Sequence, residues 1–197
     1  MEASDIAEPA VARWRCSLTR RRGASEAAVI RAAQEGSEAA VEELFARHWG
    51  QAYRAAFLVT GDGAAAEDIA QEAFLSALRA LPSFDVRRPL RPWLHRIVVN
   101  RAIDFSRARA LRNEVAADCA RESVAPASGD PRALDEDLAA ALSVLSAEQR
   151  AVVVLRYLLE FTPGEIGKML DLPRGTVNSR LRRGLDALGD VIESEHR

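Results

Sequence analysis

At 197 residues the chain is long enough for one ordinary domain or two small ones, and 48% hydrophobic against 6% aromatic residues suits a helical protein built on Ala and Leu. A net charge of −2 argues against a protein that coats nucleic acid indiscriminately, although a global sum hides local segregation. Cys16 and Cys119 lie far apart without zinc-like spacing, so no metal or cofactor is expected, and no apolar run approaches the ~18 residues that span a bilayer.

Residues 1–24 mix Pro9, small residues and the Arg20–Arg22 cluster without sustained periodicity and read as a mobile arm. The cluster lacks the apolar segment of a twin-arginine export signal, which leaves a cytoplasmic location. Ser25 is placed to cap a first helix that runs to Gln34 and stops at Gly36, and Ser37 to cap a second. Along that second helix Val41, Leu44, Phe45, His48, Ala52, Ala56 and Val59 recur at helical steps, until Gly61-Asp62-Gly63 ends it. A third helix, about 64–81, turns Ile69, Ala73, Ala77 and Leu81 inward and stops at Pro82. A fourth spans about 89–109, with Pro89 and Pro92 tolerable only near its first turn. From 110 to 133 the apolar period fades, and the stretch from Ala125 to Pro131 is composed like a linker. The expectation is therefore an all-α chain of two small helical domains, 25–109 and 134–192, joined by a flexible tether.

In the second domain, Ser146-Ala147-Glu148-Gln149 has the pattern of a capping box, followed by apolar Val152, Val153, Leu155 and Leu158. Thr162-Pro163-Gly164-Glu165 repeats the device and opens a short helix that Asp171-Leu172-Pro173 breaks. A further helix, about 173–188, places Val177, Leu181, Leu185 and Leu188 on one side. Short helix, tight turn and longer helix make a helix-turn-helix. Asn178, Ser179, Arg182 and Arg183 fall on the opposite face, and from Arg174 to Arg183 there are four Arg and no acid, which suits a helix lying between phosphates. Arg pairs with guanine and Asn with adenine in the major groove.

Charge is segregated in the first domain too. Asp62, Glu67, Asp68 and Glu72 follow one another without a basic residue between, and Glu67, Asp68, Gln71, Glu72 and Leu75 project away from Ile69, a face better suited to a protein than to DNA. From Arg87 to Arg112 eight Arg stand against one acid, Asp104. Trp93, Arg96, Asn100 and Arg107 share one broad side of the fourth helix, while Leu90, Leu94, Ile97, Val98 and Phe105 serve the core. An indole beside amide and guanidinium groups suits stacking on an unpaired base, although core packing explains Trp93 alone equally well.

These segments, in this order, resemble the extracytoplasmic-function class of bacterial sigma factors. The resemblance rests on Ala66-Glu67-Asp68-Ile69-Ala70-Gln71-Glu72-Ala73-Phe74, on Phe84 and Trp93 through Asn100 to Asp104 and Arg107, and on Leu145-Ser146 through Glu165-Ile166 to Gly175–Leu181 and Arg183. It implies a dissociable initiation subunit, with no chemistry of its own, that binds core RNA polymerase and promoter DNA, both duplex and melted, for a regulated stress or envelope regulon. Carried over by position, Asp68, Gln71 and Glu72 contact polymerase. Trp93, Arg96, Asn100 and Arg107 belong to the minus-ten reader, and Arg174, Asn178, Ser179, Arg182 and Arg183 to the minus-thirty-five reader. An anti-sigma factor is an implied partner, and no membrane insertion is implied. Leu90 stands where the family often has an aromatic residue, Asn178 replaces a usual Lys or Arg, and Gly167 a usual Ala. Two alternatives remain at this stage: a helix-turn-helix regulator with no polymerase-subunit role, and a purely protein-binding adaptor.

Overall fold

The computed structural model describes residues 25–116 and 131–195; the arm and most of the expected linker lie outside them. Among the described residues the chain forms helices and turns and no strand. Ser25 caps α1 (Glu26–Gln34) by accepting from the Ala28 amide, and Ser37 caps α2 (Glu38–Thr60) by accepting from that of Ala40. Helix α2 ends at Gly61, whose φ of 66° is a left-handed cap where a side chain would add strain. Asp62 then caps α3 (Gly63–Ala80) through the Ala65 amide. Pro82 turns the chain through one 3₁₀ turn, Leu81–Ser83.

Helix α4 (Leu90–Ala116) carries Pro92 in its first turn, where the missing N–H costs nothing. It reaches Ala116 rather than Arg109. The fading apolar period marks only where the helix leaves the core: residues 107–112 are exposed, good helix formers continue the propagation, and Arg109 is anchored to Asp62 at 2.9 Å. Helix α5 (Pro131–Leu142) likewise starts four residues before the expected Asp135.

Both expected capping boxes are present, Ser146 with Gln149 opening α6 (Ala147–Val153) and Thr162 with Glu165 opening α7 (Pro163–Leu170). Helix α6 widens into a π turn, Val154–Leu158, closed by the Leu159 amide on the Val154 carbonyl at 3.1 Å. Asp171, at φ 55°, caps α7, and α8 (Arg174–Glu195) follows. Val177 and Leu181 of α8 are buried as expected, but Leu185 is 43% exposed. The α8 contact with α6 passes instead through Gly184, where a Cβ would stand 3.2 Å from Val153 Cγ2, and this leaves Leu185 to one side.

A small core joins α1, the start of α2 and the 81–90 turn through Val29, Ile30, Leu44, Leu81 and Leu90. The larger one runs from Ala56 and Val59 through Ile69, Leu94 and Val98 to Leu142, Val152, Leu155, Ile166 and Val177. The sequence leaves the relative placement of the two halves open; in the structure they share this core. A helical unit of only ~60 residues, the size of the C-terminal half, covers its own apolar surface incompletely, and the larger N-terminal half covers the remainder.

Candidate nucleic-acid interface

The α3 face is as expected: Glu67, Asp68, Gln71 and Glu72 are exposed, and Leu75 is 52% exposed among them. Glu72 is also ion-paired, at 2.6 Å, with Arg101 of α4, whose other nitrogen donates to Ser76 Oγ at 2.7 Å. The acidic face and the Arg-rich helix are therefore adjacent and partly neutralise each other. Asp85 and Asp62 likewise take Arg87 and Arg109, at 3.0 and 2.9 Å. The sequence count of eight Arg against one acid misses these partners, because Glu72 and Asp62 lie on or beside α3 and Asp85 just before the counted stretch.

The four minus-ten candidates separate into two groups. Arg96 is exposed, whereas Trp93 is half-buried with its ring 4.7 Å from that of Phe84, so packing accounts for much of its position. Leu90 is 5% exposed in the small core and has no surface role. Asn100 and Arg107 face the C-terminal half. Asn100 Nδ2 donates to the Met169 carbonyl at 3.4 Å, and Arg107 Nε to Glu148 Oε1 at 2.6 Å. Burial alone would raise the Glu148 carboxyl, but the hydrogen bond and charge of Arg107 hold it below its ordinary value.

Other side chains close the same joint. Arg91 Nη2 donates to the Leu159 carbonyl at 2.7 Å, and its guanidinium lies 4.9 Å over the Phe161 ring. His95 meets that ring edge-on at 5.9 Å. Arg54 pairs with Asp135 at 2.7 Å. Arg150 Nη1 donates to the Val59 carbonyl at 2.9 Å while Nη2 holds Ser143 and Leu145, at 3.3 and 3.1 Å, so one guanidinium fastens the end of α2 to the α5–α6 turn. His95 is 1% exposed, and burial together with the positive charges of Arg91 and His48 lowers its pKa to about 4, which keeps the ring neutral. None of Arg91, His95, Arg150 and Phe161 was legible as a contact, because each sits in an ordinary helical pattern and acquires its partner only when distant segments meet.

On α8, Arg174, Asn178, Ser179, Arg182 and Arg183 are all exposed and form one polar face, as the helical periodicity requires. Ser179 Oγ donates to the Thr176 carbonyl at 3.0 Å, and Arg182 lies 4.0 Å from Asp186. Beside this face Ser146, Glu148, Gln149, Arg180 and Arg183 line a shallow hollow of about 260 Å³. Glu148 thus stands at the edge of the exposed α8 face while it holds Arg107 of the other half.

Residues 44–112 match the Sigma-70 region 2 family and residues 135–188 the Sigma-70 region 4 family. The chain is 32% identical over 173 residues to the ECF RNA polymerase sigma factor SigW of Bacillus subtilis, covering 81% of this chain and 92% of that protein. It is 36% identical over 171 residues to the ECF RNA polymerase sigma factor SigL of Mycobacterium tuberculosis, covering 84% and 89%. Among solved structures, CnrH in complex with the cytosolic domain of CnrY superposes with a TM-score of 0.65 at 27% identity, covering 86% of this chain and 97% of that one.

Proposed function

Because the chain belongs to the extracytoplasmic-function family of RNA polymerase sigma factors, a non-enzymatic family of transcription initiation factors, we propose a division of its surfaces among core polymerase, melted promoter strand and promoter duplex. Asp68, Gln71 and Glu72 on the exposed α3 face bind polymerase. Trp93, Arg96, Asn100 and Arg107 along α4 serve the minus-ten element, with residues 25–109 as the first domain. Arg174, Asn178, Ser179, Arg182 and Arg183 on α8 read the minus-thirty-five element from a second domain, 134–192. The observation that carries this reading is the presence, on one chain, of an exposed acidic helix face and, apart from it, an exposed Arg-rich face on the second helix of a doubly capped helix-turn-helix.

Promoter position would come from phosphate contacts by the Arg side chains and sequence preference from base edges met by Asn178 and Arg183. The protein works where polymerase works, in the cytoplasm; among the described residues no helix is long and apolar enough to cross a membrane. A restraining anti-sigma factor is proposed as a further partner, in line with the partner-bound state of CnrH. The deciding experiment adds the purified chain to core RNA polymerase on a genomic fragment library and maps transcript starts. Starts that share two spaced sequence elements are expected, and absence of chain-dependent transcripts from every fragment would sink the proposal.

A further inference from the structure

The cluster Arg20–Arg22 belongs to none of the surfaces assigned above. It ends a stretch, Arg13 to Arg22, that carries five Arg and no acid, and it precedes residue 44, where the match to Sigma-70 region 2 begins. The place where this stretch joins the fold is well defined. Gln34 Nε2 donates to the carbonyls of Leu81 and Phe84 at 2.9 and 2.8 Å, and the Leu90 amide donates to Glu26 Oε2 at 3.4 Å. The turn from 81 to 90 therefore runs back along α1, and Ser25, from which the Arg stretch departs, stands beside the first residue of α4.

Charge at this place is one-sided. Of its acids, Glu26 is committed to the Leu90 amide and, at 3.2 Å, to His48, while Asp85 holds Arg87 at 3.0 Å. Arg31 on α1, Arg88 just before α4 and Arg96 on α4 are exposed and form no ion pair among the described residues. An Arg stretch tethered here meets like charge on its own protein, and a polyanion satisfies both at once. At ~3.3 Å per residue, Arg20–Arg22 reach ~10–17 Å from Ser25 and Arg13 reaches ~40 Å, slightly more than one turn of duplex at ~34 Å.

We infer that Arg13, Arg15 and Arg20–Arg22 bind the phosphate backbone of the duplex flanking the minus-ten element, and lengthen the grip on DNA by up to about one helical turn. The inference rests on the DNA-binding role of α4 proposed above and adds a third DNA-contacting segment. Guanidinium groups on phosphates position a protein without reading bases, so the contribution is the same on every sequence. It strengthens the first encounter with DNA and leaves promoter choice to α4 and α8.

The test uses the full chain and labelled duplexes of about 30 base pairs, about three helical turns, in several unrelated sequences, followed by fluorescence anisotropy over a salt series. Arg20→Gln, Arg21→Gln and Arg22→Gln combined in one full-length variant should make the plot of log affinity against log salt shallower by about 2–3, near 0.9 for each phosphate released. Raising salt from about 50 to about 200 mM then costs the unaltered chain about 40-fold more affinity than the variant. Adding Arg13→Gln and Arg15→Gln should flatten the plot further, equally on every sequence. The helical signal in circular dichroism should stay the same, because the substitutions precede the Ser25 cap. A slope unchanged by the substitutions, a loss confined to one sequence, or no duplex binding by the unaltered chain at about 20 mM salt overturns the inference. So does tighter capture of core polymerase by the variant at an unchanged slope, which would seat the Arg stretch on the acidic α3 face. Loss of retention on phosphatidylglycerol vesicles at an unchanged slope would make the partner a membrane surface and overturns it equally. Polymerase and promoter are absent from the salt titration, so its failure is distinguishable from failure of the transcription experiment.

Discussion

Gly167→Ala sets two opposed effects of known size against each other. Intrinsic helix propensity favours Ala over Gly by about 1 kcal/mol inside a helix, and by that reasoning the family's usual Ala would stabilise α7. The tertiary structure opposes it. A Cβ on Gly167 would stand 2.7 Å from the Leu172 carbonyl oxygen, 3.8 Å from its carbon and 3.9 Å from the Arg174 nitrogen. All three are backbone atoms, so no rotamer change relieves the contact. The turn must move as a unit, against the bond from the Leu172 amide to the Gly167 carbonyl at 2.8 Å.

Overpacking of this kind costs about 1–3 kcal/mol and a weakened backbone bond about 1 more, so after the propensity gain the variant should be destabilised by about 1–3 kcal/mol. With a urea slope of about 2 kcal/mol per molar, the unfolding midpoint should fall by about 1 M. Urea titration followed by circular dichroism measures it. Because the displaced atoms include the start of α8, duplex affinity should fall as well. A midpoint that rises would show that propensity prevails and that the turn between α7 and α8 is soft.

Arg150→Ala removes donors to three carbonyls at once and should cost about 2–4 kcal/mol, visible as a lower melting temperature; a change within experimental error would mean that the joint does not depend on this guanidinium. His95 has a folded pKa of about 4 against 6.5 in the free side chain, so the unfolded chain binds a proton in this window that the fold refuses. Its contribution is therefore complete above about pH 6.5 and is lost as pH falls toward 4, by about 3 kcal/mol, and His95→Phe should flatten that part of a stability–pH curve. An unchanged slope in the variant would assign the pH dependence elsewhere. Asp68→Arg should weaken capture by core polymerase in a pull-down with the helical signal intact, and unaltered capture would remove α3 from the polymerase contact. Arg183→Ala should cost about 1–3 kcal/mol at a preferred promoter in a gel-shift series, whereas an equal loss on every sequence would make Arg183 a phosphate contact.

Local rules determined a large part of this protein. Ser25, Ser37, Ser146 and Thr162 start helices because a hydroxyl beside orphan amides is a short-range event, and Pro82 and Asp171 stop them for equally local reasons. The faces of α3 and α8 follow from helical periodicity alone, which is why the acids of α3 and the Arg and Asn side chains of α8 proposed for polymerase and groove are all found exposed. The Sigma-70 region 2 and region 4 matches fall on those same segments.

What tertiary structure decided is every feature that needs two distant segments. The chain pattern makes α4 an Arg stripe, but Glu72, Asp62 and Glu148 arrive from other helices and pair with it. Leu185 belongs to the apolar side by periodicity yet stays exposed, because the α6 contact runs through Gly184. Gly167 reads as a weak helix residue, yet a Cβ there would stand 2.7 Å from the Leu172 carbonyl oxygen of the turn. Above all, composition marks residues 110–133 as a linker but says nothing of how the two halves sit, whereas Arg91, His95, Arg150 and Phe161 draw them onto a common core. Periodicity fixes which face of a helix is apolar; which other apolar face covers it depends on the packing of the whole chain.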